Sequence, residues 1–393
     1  MPTVMVADIG GTSSRFILYE APSEELALGH KAPGDQLFQK TYANENVQRF
    51  TSQVSAFLKD ADLKVPPEAA CIAVAGPVHQ NKVVMTNRNW IVDGAEIEES
   101  FNIAKVRLVN DFVAAGYGLL TLDLDTECAT LQAGDRKPGM PIACIGSGTG
   151  LGETFLTCPI GGEGDVYDAW PTEGGHAEMA ARDDLEYELV KYIKRTHKTN
   201  RVSVERVASG TGLVNVYNFM ADTFPDRVDQ AVHEAIQAAG DQKGAVISMN
   251  SSVKGSICEK VMEIWATHYG AEAGVMALRH IPTGGLFIAG GMTHKLIHLV
   301  QGADSPFMKA FHDKGRVSGL LKAVPVYAVM VEDIGLRGAH FVALRLHHDV
   351  HKEDLKKHKL HKVVAFSATS MVVLATLSAA IGAAIARATL RGK

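Results

Sequence analysis

Val4-Met5-Val6-Ala7-Asp8-Ile9-Gly10-Gly11-Thr12-Ser13-Ser14-Arg15 is an apolar run that empties into a glycine pair, and Phe16-Ile17-Leu18-Tyr19 follows it directly. Strand, glycine-rich turn, strand is the signature of a β-hairpin whose turn allows close backbone approach. The pattern recurs further on. Ile142-Ala143-Cys144-Ile145 runs into Gly146-Ser147-Gly148-Thr149-Gly150-Leu151-Gly152 and then Thr154-Phe155-Leu156. Two such hairpins suggest a duplicated unit, although the repeat is too short to prove duplication. Gly284-Gly285-Leu286-Phe287-Ile288-Ala289-Gly290-Gly291 gives one more strand entering a glycine pair.

The rest of the chain fills in around these turns. Asn46–Leu58 has helical spacing, Cys71–Ala75 reads as a buried strand, and Val106–Val109 is a short strand running into Asn110-Asp111. Helices are expected at Leu185–Arg195, Gly212–Ala221 and Ile257–His280, a late strand at Val324–Val331 and a closing helix at Gly335–Leu346. Residues 221–256 read as a surface connection. This order, in a chain of 393 residues, predicts two α/β domains facing a cleft. With 46% hydrophobic and 21% charged residues the bulk should fold, and a net charge of −5 gives no reason to expect a nucleic-acid partner. Five scattered cysteines, never spaced CxxC, fit a reducing compartment and argue against a structural zinc site. The carboxylate inside the first apolar run and the missing basic n-region argue against a signal peptide.

Gly10 and Gly11, with Gly146, Gly148, Gly150 and Gly152, would let backbone N–H groups approach phosphate oxygens, and Thr12 and Thr149 add hydroxyl donors. Asp8 is placed to hold Mg²⁺ through water, since that cation takes carboxylate and phosphate oxygens and keeps part of its hydration. Neither loop fits GxxxxGK[ST] or a dinucleotide fingerprint, and either alone reads more simply as a structural turn. Asn110 and Asp111 could cap a helix beginning near Phe112, His176 could be a core histidine, and Glu205 an ordinary first-turn acid.

Asp8-Ile-Gly-Gly-Thr12 with Arg15, Gly146–Gly152 and Phe287-Ile-Ala-Gly-Gly291 together resemble, in order and spacing, the two phosphate loops and the adenosine motif of the actin, Hsp70 and sugar-kinase superfamily. More narrowly, residues 1–346 resemble the bacterial-type glucokinase family. The segments that carry this are Ala75-Gly-Pro77, Met85-Thr-Asn87 with Trp90, Val109-Asn-Asp-Phe112, Glu173-Gly-Gly-His176, Ser203-Val-Glu-Arg-Val207 and Ser209-Gly-Thr-Gly-Leu-Val-Asn215. The resemblance implies two actin-like (ribonuclease-H-like) domains: 1–121 completed by 328–346, and 122–327. It implies ATP and Mg²⁺ as cofactors, with nucleotide contacts from Asp8, Gly10, Gly11, Thr12, Gly148, Thr149, Gly150, Gly290 and Gly291. It implies sugar contacts from Asn110, Asp111, Glu173, His176 and Glu205, with Asp111 as general base in forming glucose 6-phosphate. A kinase for another hexose or amino sugar, or a membrane-tethered sugar sensor, are the other readings. Ala177-Glu-Met-Ala-Ala follows His176 without cysteines, a departure from the zinc motif of the related ROK group. A homodimer is one option for assembly that no residue here decides.

Beyond Leu346 the resemblance stops. Residues 347–362 are dense in Lys and His and read as a solvated stem; His347, His348 and His351 offer imidazoles for a metal, but the stalk is the simpler reading. Val363–Ala386 carries no charge, and as a helix at ~1.5 Å per residue would reach across a ~30 Å hydrocarbon core. Lys362 on one side, and Arg387, Arg391 and Lys393 on the other, bracket it. The expectation is a tail anchor leaving a cytosolic kinase domain on an organelle membrane. Its moderate apolarity and short basic end lean towards the mitochondrial outer membrane, with lipid contact through 363–386 and headgroup contact through the stem.

Overall fold

The structure, a computed structural model, describes residues 1–24, 26–85, 90–159 and 166–353. Two sheets organise it. The first has the order β3-β2-β1-β4-β7, from β1 (Thr3–Ile9), β2 (Ser13–Glu20), β3 (Gln36–Ala43), β4 (Ala69–Val74) and β7 (Lys105–Asn110), the intervening β5 (Lys82–Met85) and β6 (Trp90–Asp93) forming a separate hairpin. The second has the order β11-β10-β9-β12-β13-β8, from β8 (Cys128–Gln132), β9 (Ile142–Ser147), β10 (Leu151–Thr157), β11 (Asp168–Thr172), β12 (Leu286–Ala289) and β13 (Val326–Val329).

The duplication read from the glycine turns extends to strand topology. In each sheet three antiparallel strands lead into a run of three parallel ones that shares the last of them, β1-β4-β7 in one and β9-β12-β13 in the other. The central parallel strands β4, β9 and β12 are buried at every position. Strands covered on both faces are apolar throughout, which is why they were legible as continuous runs.

Helix Ile257–His280 has the expected bounds, since Ser256 caps its start and Ile281 ends it in a left-handed conformation. Its Tyr269 hydroxyl donates to the Ala289 carbonyl at 2.9 Å and so fastens the end of β12. Helix Asp184–His197 and helix Gly210–Thr223 each run a residue or more past the expected bounds. The first predicted helix starts only at Phe50, because Asn46 is left-handed and the Val47 carbonyl accepts the Trp90 indole N–H at 2.8 Å. The stretch 221–256 is not a mere connection. It holds helices Gln230–Ala238 and Lys243–Met249, which bury Ile236 and Ile247 in the core beneath helix Gly210–Thr223.

The closing helix spans 334–353, so it does not stop at Leu346. The first turns of the expected stem are therefore helix. His347 is 2% exposed, packed beside Glu68, where a solvated stalk was expected. The closing helix also crosses helix Asp111–Leu119 with no room for side chains. A Cβ at Gly338 would overlap the Ala114 carbonyl oxygen, and one at Gly118 would overlap that of Ile334. Among the described residues no helix is long and apolar enough to cross a membrane. The predicted span 363–386, the rest of the stem, and Thr86 and Asn87 of one motif lie outside the described residues.

Candidate active site

Both glycine turns are held from behind while their crests stay open. In the first, the Gly10 N–H donates to the Ser13 carbonyl at 2.9 Å. Asn44, buried beneath the turn, donates its amide to the Gly10 carbonyl at 2.8 Å and its backbone N–H to that of Thr12 at 2.8 Å. Its Oδ1 accepts from Ser14 Oγ and Gln53 Nε2 at 2.7 and 3.0 Å. Gly11 and Thr12 remain exposed. Sequence reasoning missed Asn44, since nothing in the order of residues places it under a turn more than thirty positions away.

The second turn is tied to a helix start. The Gly148 carbonyl accepts from Gly210 N–H at 2.8 Å, and the Thr149 carbonyl accepts from the Thr211 N–H and hydroxyl at 3.3 and 3.2 Å. Ser209 caps that helix, accepting from Gly212 N–H at 3.0 Å. Gly290, at φ +89°, closes against this turn, where a Cβ would overlap the Ser147 carbonyl oxygen. A Cβ on Gly148 or Gly291 would instead meet open space. Turn, helix start and glycine pair thus meet at a glycine-rich cradle that is open at Gly148 and Gly291, an arrangement that lets an oligophosphate approach the backbone.

On the other side, Asn110 caps helix Asp111–Leu119. Its Oδ1 accepts from Phe112 and Val113 N–H at 2.9 and 3.3 Å, and its amide donates to the Gly76 carbonyl at 3.2 Å. Asp111 accepts from Phe112 N–H at 2.9 Å. Its carboxyl is open to solvent yet flanked by protein on most sides, and this desolvation raises its pKa, with a further rise from the charge of Asp8. Burial raises Asp8 likewise, against the opposing pull of Arg15.

Glu173, His176 and Glu205 converge. His176 Nε2 lies 3.8 Å from Glu173 Oε2 and its Nδ1 lies 3.8 Å from Glu205 Oε1. His176 and Glu173 are more than half exposed, which leaves their polar atoms accessible. Arg201 holds the His176 carbonyl at 2.6 Å. One contact joins this cluster to the second turn, where Glu205 Oε2 accepts from Leu151 N–H at 3.0 Å. The Asp111 helix reaches the same turn through the Phe112 ring, which lies where a Cβ on Gly146 would come within 2.7 Å. The glycines at 146 and 152 are needed for that ring, a packing role that their reading as phosphate cradles did not anticipate. Glu153, a buried carboxyl under Gly174, is pushed up to about 8 by burial and the charge of Glu272. It is a support that the alternating pattern of β10 hides.

Residues 5–346 match the family model described as Glucokinase. The chain is 38% identical over 358 residues to a glucokinase of Nostoc sp. (strain PCC 7120 / SAG 25.82 / UTEX 2576), covering 88% of this chain and all of that protein. Its fold is similar to a crystal structure of glucokinase from an Antarctic psychrotroph, with a TM-score of 0.68, 27% identity and coverage of 87% and 99% of the two chains. It also resembles a ROK family glucokinase from Streptomyces griseus in complex with glucose and AMPPNP, at a TM-score of 0.57, 19% identity and the same coverage, a likeness of fold alone.

Proposed function

The chain belongs to the glucokinase family, and we propose that it transfers the γ-phosphoryl group of ATP to the 6-hydroxyl of D-glucose, with Asp111 as the general base. The observation that carries this reading is Asp111 itself. Its carboxyl stands at a capped helix start with a raised pKa, next to a Phe112 ring seated on the second glycine turn. A carboxylate so placed accepts the hydroxyl proton as the oxygen attacks phosphorus, and a pKa raised towards working pH makes it a stronger base.

Glu173, His176, Glu205 and Asn110 would bind the sugar hydroxyls. A polar site of that kind discriminates sharply against sugars lacking one. Gly10, Gly11, Thr12, Gly148, Thr149 and Gly150 would hold the phosphates, and Gly290 and Gly291 the adenosine end. Asp8 fits a magnesium site: it is an oxygen donor near the charge of Asp111, with Arg15 as its opposing partner. Bound there through water, the ion would neutralise triphosphate charge. We read residues 1–121 with the closing helix as one actin-like domain and 122–329 as the other; the expected boundary at 327/328 would cut β13, which pairs with β12 and β8 in the second sheet.

The choice of sugar is tested by coupled ADP release from purified protein with glucose, mannose, fructose, glucosamine and N-acetylated hexosamines. Turnover confined to glucose is expected; preference for another sugar would retain the mechanism and overturn the substrate. For the uncharged stretch 363–386 we propose a membrane tail anchor, supported by its length and its basic flanks. Full-length protein should float with lipid vesicles, and a chain ending after Glu353 should not. Full-length protein staying at the bottom of the gradient removes the anchor.

A further inference from the structure

The family match ends at residue 346, and the next turn of the closing helix brings two imidazoles onto one carboxylate. His347 and His351 stand four residues apart and so share a helix face. Glu68, immediately before β4, reaches that face from the first sheet. Its Oε2 lies 3.0 Å from His347 Nδ1 and 2.9 Å from His351 Nε2, and the donor atoms of all three residues lie within 4.8 Å of one another.

His347 is nearly sealed from solvent, yet its buried Nδ1 makes no hydrogen bond: the Glu68 oxygen is near but off line. A buried ring nitrogen normally has a partner, and donor atoms this close together could turn onto one ion set beside all three. His348 is turned away towards the Pro22 carbonyl and takes no part. A concavity of about 540 Å³, lined by Glu20, Pro22, His347, His351 and Lys352, opens alongside and gives an ion a way in. Among the described residues Lys105 is neutralised by Glu353, and Lys352 and Met1 with its amino terminus line the concavity together with Glu20.

We propose that Glu68, His347 and His351 bind a transition-metal dication of the zinc class, tying the closing helix to the first sheet. Two imidazoles and one carboxylate are a borderline donor set that prefers zinc, cobalt or nickel over magnesium or calcium, and three protein ligands leave a position for water. The role is structural. The helix so tied is the one that crosses helix Asp111–Leu119 at Gly338.

The test uses full-length protein stripped with a chelator, titrated with zinc in competition with a chromophoric chelator, beside His351→Ala and Glu68→Gln. His351 is half exposed, so its variant should fold. Wild type should take up one zinc per chain, and each variant should bind it at least ~10-fold more weakly, the low end of the cost of disturbing a metal's surroundings. Cobalt should give a tetrahedral visible spectrum in wild type and lose it in His351→Ala, while metal-free His351→Ala phosphorylates glucose at the wild-type rate. No zinc uptake by wild type, or equal uptake by His351→Ala, overturns the proposal.

Discussion

Asp111→Asn lowers kcat for glucose phosphorylation by about 10²–10⁴-fold, the range that loss of a positioned general base produces. The amide keeps the shape and can still sit at the helix start beside the Phe112 N–H, so binding and fold should persist. Stability separates this variant from a merely damaged protein. The folded-state pKa of Asp111 is raised, so the native state holds that proton more tightly than the unfolded chain does. Its favourable contribution is complete only below the unfolded value near 3.8, and is lost as pH rises through the folded value. At neutral pH the wild type therefore carries the cost of an ionised carboxylate that the amide lacks. Thermal unfolding at neutral pH should place Asp111→Asn at or slightly above wild type, the gain kept small because water reaches the group. The acid limb of the wild-type kcat/KM profile should lie above the ordinary aspartate range for the same reason. Near-wild-type turnover by the amide would remove Asp111 from the chemistry.

Gly338→Val should be the most damaging single change outside the site. On helix propensity alone, replacing an interior glycine is favourable, since glycine costs roughly 0.5–1 kcal/mol relative to alanine. The crossing reverses the sign. A Cβ at 338 overlaps the Ala114 carbonyl and crowds the Gly118 N–H, and both are backbone atoms that cannot swing aside as a flexible side chain could. Overpacking typically costs about 1–3 kcal/mol and valine recovers only a few tenths of the glycine penalty, so a net loss of about 1–2 kcal/mol is expected. The relief available is to push helix Asp111–Leu119 away, which moves Asp111 at its head. A displacement of ~1 Å can cost on the order of 100-fold in rate. Urea unfolding should show the lower midpoint, and steady-state assays a kcat that falls in protein still folded. Wild-type midpoint and kcat would mean that the two helices do not touch as closely as described.

What the sequence showed most clearly were the places where local chemistry and tertiary role coincide. The runs at Val4–Ala7, Ile142–Ile145 and Leu286–Ala289 are buried on both faces, so nothing interrupts them, and each ends where glycine is required. Ile257–His280 carries its own cap and stop. The pairing of the strands into two like sheets could only be suggested, because a short repeat says nothing of neighbours. Within the site, the charged and glycine-rich positions stood out as residue types, whereas the groups that hold them did not. Asn44 is a common polar residue whose importance lies in four bonds to a turn and its surroundings. Phe112 looked like one more apolar helix residue, yet its ring decides why two glycines are needed. Residues 221–256 misled because their few apolar positions, Ile236 and Ile247 among them, are spread through polar sequence. His347 and His351 misled for the opposite reason: their neighbours are charged, and the partner that buries one of them, Glu68, stands more than 280 residues back in His351's case.

The central claim is ATP-dependent phosphorylation of glucose at its 6-hydroxyl through Asp111. The most direct test is to follow product by phosphorus and proton NMR, with wild type and Asp111→Asn incubated side by side with ATP, magnesium and D-glucose. Phosphate appearing at carbon 6 with wild type, and essentially none over the same period with Asp111→Asn, is the predicted result. Phosphate at another carbon, no product from wild type, or equal product from both would contradict it.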